Sequence, residues 1–118
     1  GLDLTFSCEA AEPNLSPAAR LMLLRIAQEA LNNAWKHARA SRVQMQLSDV
    51  DGALELAIAD SGPGFNVQSR PLHFGLDGMR ARAHILGADL NIQSRAGEGT
   101  RIAVRLALPQ PTGREHPT

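Results

Sequence analysis

Within residues 28–38, QEALNNAWKHA, a carboxylate, two adjacent amides, an ammonium and an imidazole interrupt an otherwise helix-forming run. Asn is a poor helix former because its side chain competes for backbone hydrogen bonds, so Asn32 and Asn33 side by side require a reason. At about 100° per residue, Glu29, Asn33 and Lys36 share one arc of a helix, with His37 nearer its apolar side and Asn32 on the side away from His37. Oxygen donors of this kind hold hard cations, and an ammonium or imidazole offers phosphate a charge or a hydrogen bond. The same residues also suit a solvated helix face tied by i, i+4 pairs.

Three glycine-containing stretches weigh on that choice: DSGPG over Asp60–Gly64, HFGLDGM over His73–Met79 and GEGT over Gly97–Thr100. Each alone is a weak signal, since turns need glycine anyway. Each falls after or between regular elements, where a polar helix cluster can meet it.

The elements that must position these groups follow from periodicity. Residues 2–8, LDLTFSC, alternate as a half-buried strand does, with Cys8 as a small buried or half-buried residue. Ser16 followed by Pro17 starts a helix, Ser capping the open amides and Pro losing no hydrogen bond at the first position. The helix should run to about Ala38, with Leu23, Ile26, Ala27, Ala30, Leu31, Ala34 and Ala38 as its apolar stripe. RVQMQLS and ALELAIAD alternate around the turn residues DVDG and predict a hairpin ending at Asp60. SGPGFNVQSRPLHFG is a loop, long for so small a domain. LDGMRARAHIL is a short helix with Leu76, Met79, Ala83 and Leu86 on one side, ended by Gly87. ADLNIQSRAGEGTRIAVRLALP is a second hairpin. Strands with one apolar face each predict a two-layer α/β sandwich, one sheet with helices on one side only. One domain over 1–108 accounts for this, and 109–118 has nothing to bury and reads as a disordered tail.

The chain has 118 residues, 12 Lys and Arg against 12 Asp and Glu, no Tyr and one Trp. Neither a basic face nor an aromatic stacking platform advertises nucleic acid. The lone cysteine suits a reducing compartment, and no apolar run approaches the roughly 18 residues of a spanning helix or the profile of a signal peptide. The expectation is a cytoplasmic domain without membrane contact of its own.

Taken together and in this order, over about residues 20–108, the cluster and the glycine stretches resemble the GHKL superfamily of ATP-binding domains, the Bergerat fold. Histidine kinases, type II DNA topoisomerases, Hsp90 chaperones and MutL mismatch-repair proteins share it. Glu29, Asn33, Lys36 and His37 match its N box, DSGPG its first glycine box and GEGT its last. QEALNNAWKHA and HFGLDGMRAR look most like the nitrate/nitrite-sensor branch of histidine kinases. The fold this implies has a mixed, mostly antiparallel sheet.

The resemblance implies roles for these residues. Asn33 would give an amide oxygen to Mg²⁺, Lys36 a charge to phosphate and His37 a hydrogen bond or charge there. The Glu matching Glu29 activates water in hydrolytic relatives; here an orienting or metal-shell role is favoured. Asp60 would accept from the adenine amino group, Gly62 would leave room for the base, and Thr100 would support either through its hydroxyl or a water. Gly64 and Gly75 bound a short lid, and backbone amides from Gly75 and Leu76 to Met79 would face phosphate. The second box has a single Gly-Leu, and Ala81 and Ala88 stand where relatives often carry an acid and a glycine. His84, His116 and Arg82 read as surface or tail residues, Trp35 and Met79 as packing, and His73 as either a lid contact or a plain loop residue.

The implied function is the ATP-binding catalytic domain of a sensor histidine kinase, which uses Mg·ATP to phosphorylate a histidine on a dimerisation domain absent from this chain. A response regulator would be an indirect partner, and little turnover is expected in isolation. The alternatives are a nucleotide-dependent docking regulator of the same fold and an ATPase of the topoisomerase or MutL kind.

Overall fold

The computed structural model describes residues 3–10, 15–36, 42–63, 75–95 and 97–108. His37, Gly64, His73, His116, the expected lid between Gly64 and Gly75, the expected tail over 109–118 and the side chain of Lys36 lie outside the described residues. The elements are β1 (Asp3–Glu9), α1 (Pro17–Lys36), β2 (Arg42–Val50), β3 (Ala53–Asp60), α2 (Leu76–Leu86), β4 (Asp89–Ser94) and β5 (Thr100–Ala107). The strands form one sheet in the order β1-β2-β3-β5-β4. Among the described residues β1 and β2 pair in parallel and the other three pairings are antiparallel.

Local chemistry sets the ends of these elements. Ser16 Oγ accepts the amide of Ala19 at 3.1 Å, the N-cap geometry expected ahead of Pro17. Asp51 and Gly52 both have positive φ (53° and 77°), as a two-residue type I′ hairpin turn requires. Past α2, the amide of Gly87 donates to His84 O at 3.0 Å and that of Ala88 to Ala83 O at 2.9 Å, with Gly87 in the left-handed region. That pair of bonds is a Schellman motif.

The core lies between the helices and one face of the sheet. Leu54, Leu56 and Ile58 of β3 alternate toward it with Ile102 and Val104 of β5, meeting Ile26 and Ala30 of α1 and Leu76, Met79 and Ala83 of α2. α1 packs against α2 and β3, and α2 against β4. Truncating Ile26, Leu76 or Met79, all fully buried, to Ala would cost about 2–5 kcal/mol. The two-layer arrangement expected from the one-faced strands is the one observed.

Three expectations fail at one edge. β1 forms, but every residue of it is exposed rather than half-buried, with Leu4 50% and Phe6 58% accessible. Cys8 is likewise exposed, its Sγ 3.9 Å from Ala10 O. Trp35, expected to pack, is 63% exposed and lines a shallow groove with Leu4 and Leu31. The physical reason is position. β1 is an edge strand, and α1 packs chiefly on α2 and β3. Alternation reports an apolar face, not what covers it.

Candidate functional site

The sheet's apolar face ends in a polar row. β3 and β5 pair so that Ile58 opposes Ile102 and Asp60 opposes Thr100, while β4 and β5 pair Ile92 with Ile102 and Ser94 with Thr100. Side chains two apart along a strand share a face, so Asp60, Thr100 and Ser94 continue the helix-facing side one row beyond the isoleucines. Thr100 is buried, 8% exposed. Its hydroxyl lies 2.8 Å from Ser94 Oγ, and Ser94 Oγ donates to Gly99 O at 3.1 Å.

Asp60 turns back on its own loop, Oδ1 accepting the amide of Gly62 at 2.9 Å. Burial raises its carboxyl above the ordinary value of 3.8, while the backbone amides of Gly62 and Thr100 pull the other way without cancelling it. Among the described residues no cation pairs with it. Two glycine stretches meet here. Gly97 donates its amide to Pro63 O, and Gly99, at φ +81°, lies so close to the Asp60 carbonyl that a Cβ on it would overlap that oxygen. An open cavity of about 550 Å³ is lined by Asp60, Ile92, Ser94, Glu98, Gly99 and Thr100, among others.

The second half of the site lies between the helices. Gly75, in the left-handed region (φ 66°, ψ 19°), is the N-cap of α2, and among the described residues no side chain caps that end. The first helical bond runs from Met79 N to Gly75 O at 3.1 Å, which leaves the amides of Leu76, Asp77 and Gly78 without intrahelical acceptors. Glu29 of α1 lies directly against Gly75: a Cβ there would fall 2.5 Å from its Cδ and 2.6 Å from its Oε2. One turn on, Asn33 is buried at 6% exposure and is hydrogen-bonded or otherwise partnered, whereas Asn32 is exposed. The side chain of Leu76 is wholly buried in the core, so that residue can meet a ligand only through its backbone.

The structure thus joins Asp60, Gly62 and Thr100 in one group and Glu29, Gly75 and Leu76 in another, with Asn33 a turn beyond Glu29. The residues of the second group do not line the cavity beside Asp60. The profile of the family described as "Histidine kinase-, DNA gyrase B-, and HSP90-like ATPase" matches residues 18–110, a span that holds both groups. The chain belongs to this ATPase family.

The ATPase domain is 44% identical over 99 residues to the signal transduction histidine-protein kinase/phosphatase UhpB of Salmonella typhimurium, covering 84% of this chain and 19% of that protein. It is 41% identical over 87 residues to the sensor protein VraS of Staphylococcus aureus, covering 73% of this chain and 25% of that protein. It therefore spans a quarter or less of these full-length relatives. Among solved structures, the ATP binding domain of PrrB from Mycobacterium tuberculosis superposes with a TM-score of 0.73 at 26% identity, over 92% of this chain and 82% of that one. The blue-light activated histidine kinase EL346 of Erythrobacter litoralis gives 0.74 at 26% identity, over 89% of this chain and 35% of that one.

Two residues of the ATPase domain's site escape a reading of sequence alone. Gly99 sits inside GEGT, but its special place comes from the approach of the Asp60 carbonyl. Ser94 continues the alternation of Leu90 and Ile92, and that parity was the available signal. The Thr100 hydroxyl, expected to support Asp60 or the base, lies on Ser94, and the support Asp60 receives from Thr100 comes from the backbone.

Proposed function

We propose that this domain binds Mg·ATP and supplies its γ-phosphoryl group to a histidine on a dimerisation domain of the same sensor kinase. The observation that carries the proposal is the pairing of Asp60 with Thr100 at the wall of an open cavity, beside Gly99, which leaves no room for a Cβ. Two adjacent acceptors suit a donor, and the exocyclic amino group of adenine is one. Gly62 keeps the base's approach open.

The phosphates belong at the start of α2. Three amides without intrahelical acceptors and the positive end of the helix favour an anion. Asn33 and Glu29 set an amide oxygen and a carboxylate on successive turns of α1, hard donors that suit Mg²⁺. Asn33 would hold the ion, whose chemistry is to offset the charge of the triphosphate. Glu29, against Gly75, orients this end of the site, and Lys36 and His37 add charge or hydrogen bonds to phosphate. In the transfer a nitrogen of the acceptor imidazole attacks the γ-phosphorus. The N–P bond forms as the bond to the bridging oxygen breaks, ADP leaves with the electron pair, and the imidazolium so formed gives its N–H proton to solvent. Positioning and charge neutralisation carry such a step.

The wording of QEALNNAWKHA and HFGLDGMRAR supports the nitrate/nitrite-sensor branch within the histidine kinases. A response regulator is then the indirect partner, and the domain works in the cytoplasm, where ATP is. The test is to incubate the domain with ATP labelled at the γ-phosphate and the acceptor domain of a related sensor kinase. Acid-labile, base-stable label on the acceptor's histidine is expected; ATP binding without any such label overturns the kinase reading.

A further inference from the structure

We propose that Ser94 is a positioning residue that holds the Thr100 hydroxyl as a hydrogen-bond acceptor toward the base, and so sets a preference for adenine over guanine. The inference rests on the reading of the cavity as the nucleotide site and goes beyond it by naming what fixes base choice.

The direction of the bonds carries it. Ser94 has one hydroxyl proton, and a carbonyl oxygen can only accept. The proton on Ser94 Oγ goes to Gly99 O, at 3.1 Å. Either hydroxyl can donate across the 2.8 Å between Ser94 and Thr100; with the Ser94 proton given to Gly99 O, we assign Thr100 as the donor and Ser94 as the acceptor. The chain runs from Thr100 O–H to Ser94 O–H to the Gly99 carbonyl, and it ends on the loop that Gly99 presses against the backbone of Asp60. With its proton committed to Ser94, Thr100 has only lone pairs for the cavity it lines.

Asp60 stands directly across the β3–β5 ladder from Thr100. When ionised, its carboxylate is also acceptor-only. The cavity wall therefore carries two acceptors side by side. The exocyclic amino group of adenine offers donors to such a pair, whereas guanine presents a carbonyl oxygen at the same position of the ring. Lone pair would then face lone pair, and a buried polar group left unpaired is the kind of mismatch that discriminates strongly. Without a hydroxyl at 94, the Thr100 proton is released to rotate into the cavity and can donate to that oxygen.

The test compares affinities for ATP, GTP and purine riboside triphosphate, which lacks the amino group, in the wild type and in Ser94→Val and Ser94→Thr. The last two have nearly the same shape and differ in the hydroxyl, and thermal melts verify that both fold. In the wild type, ATP should bind about tenfold or more tighter than either analogue, as expected for a hydrogen bond to a charged group. Ser94→Val should shrink both preferences severalfold, partly through tighter GTP binding, and Ser94→Thr should restore them. An equal loss of affinity for all three nucleotides in Ser94→Val would make Ser94 merely structural and overturn the inference, as would preferences unchanged from wild type. Failure of the wild type to bind any nucleotide would overturn the functional reading and this inference with it.

Discussion

The carboxyl end of Glu29 rests against the α-carbon of Gly75, where α1 meets the start of α2. Both members of the pair are constrained. Gly75 needs its left-handed φ of 66° to enter the helix, and it leaves the space Glu29 fills. Gly75→Ala should therefore destabilise the domain by about 1–2 kcal/mol from backbone conformation alone, and also displace Glu29. Adding Glu29→Ala should recover the steric part and not the conformational part. Urea denaturation of the four proteins of this cycle should give a coupling between about 0.5 and 3 kcal/mol; strict additivity would mean the contact carries no energy.

Gly99 and Gly87 provide a controlled pair. Both have positive φ, but a Cβ on Gly87 would meet nothing within 4 Å, whereas on Gly99 it would overlap the backbone carbonyl of Asp60, which has no flexible end to move. Gly87→Ala should cost about 1–2 kcal/mol, and Gly99→Ala more than that, since strained backbone and overlap add. Chemical denaturation orders the two, and Gly99→Ala alone should weaken nucleotide binding.

Asp60 makes a prediction with a definite sign. Its folded carboxyl lies above the ordinary 3.8, chiefly through burial. The folded state then holds the proton more tightly than the unfolded state, so this group's contribution is full below that ordinary value and is lost as pH rises through the folded value. Wild type should lose stability relative to Asp60→Asn over that window and hold a constant difference at higher pH. Urea midpoints across the acidic range measure it, and a wild type that gains on the variant as pH rises would reverse the assignment. At neutral pH Asp60→Asn should keep the fold and lose most ATP affinity.

Asn33→Ala separates metal from base. Removing a buried, partnered amide should cost about 1–3 kcal/mol of stability and at least about tenfold in Mg²⁺-dependent ATP affinity. Adenosine binding, which has no phosphate for a metal to bridge, should change little. Calorimetric titration with and without Mg²⁺ reads both, and equal losses for ATP and adenosine would remove Asn33 from the metal's shell.

Much of this was legible in the residues. Ser16 with Pro17, Gly87, and the Asp51–Gly52 turn are short-range signals, because the groups that satisfy each other lie within a few residues. Asn33 could be separated from Asn32 by helix geometry, and one is buried and the other exposed. The pairing of Asp60 with Thr100 rests on a register that joins residues about 40 positions apart, so only the family resemblance brought those two together, and the place of Ser94 beside them follows from the β4–β5 register. The contact of Glu29 with Gly75 depends likewise on how two helices approach. At β1 the alternation was correct, but the covering layer it implied is not over that strand.

A heteronuclear NMR titration tests most directly whether one nucleotide spans both groups. Adenosine alone should shift the amide resonances of Gly62, Gly99 and Thr100 and leave those of Leu76, Asp77 and Gly78 in place. A non-hydrolysable ATP analogue with Mg²⁺ should shift both sets and the side-chain amide of Asn33. Shifts confined to other surfaces, or a triphosphate that moves the strand-end set without the α2 amides, would contradict the account.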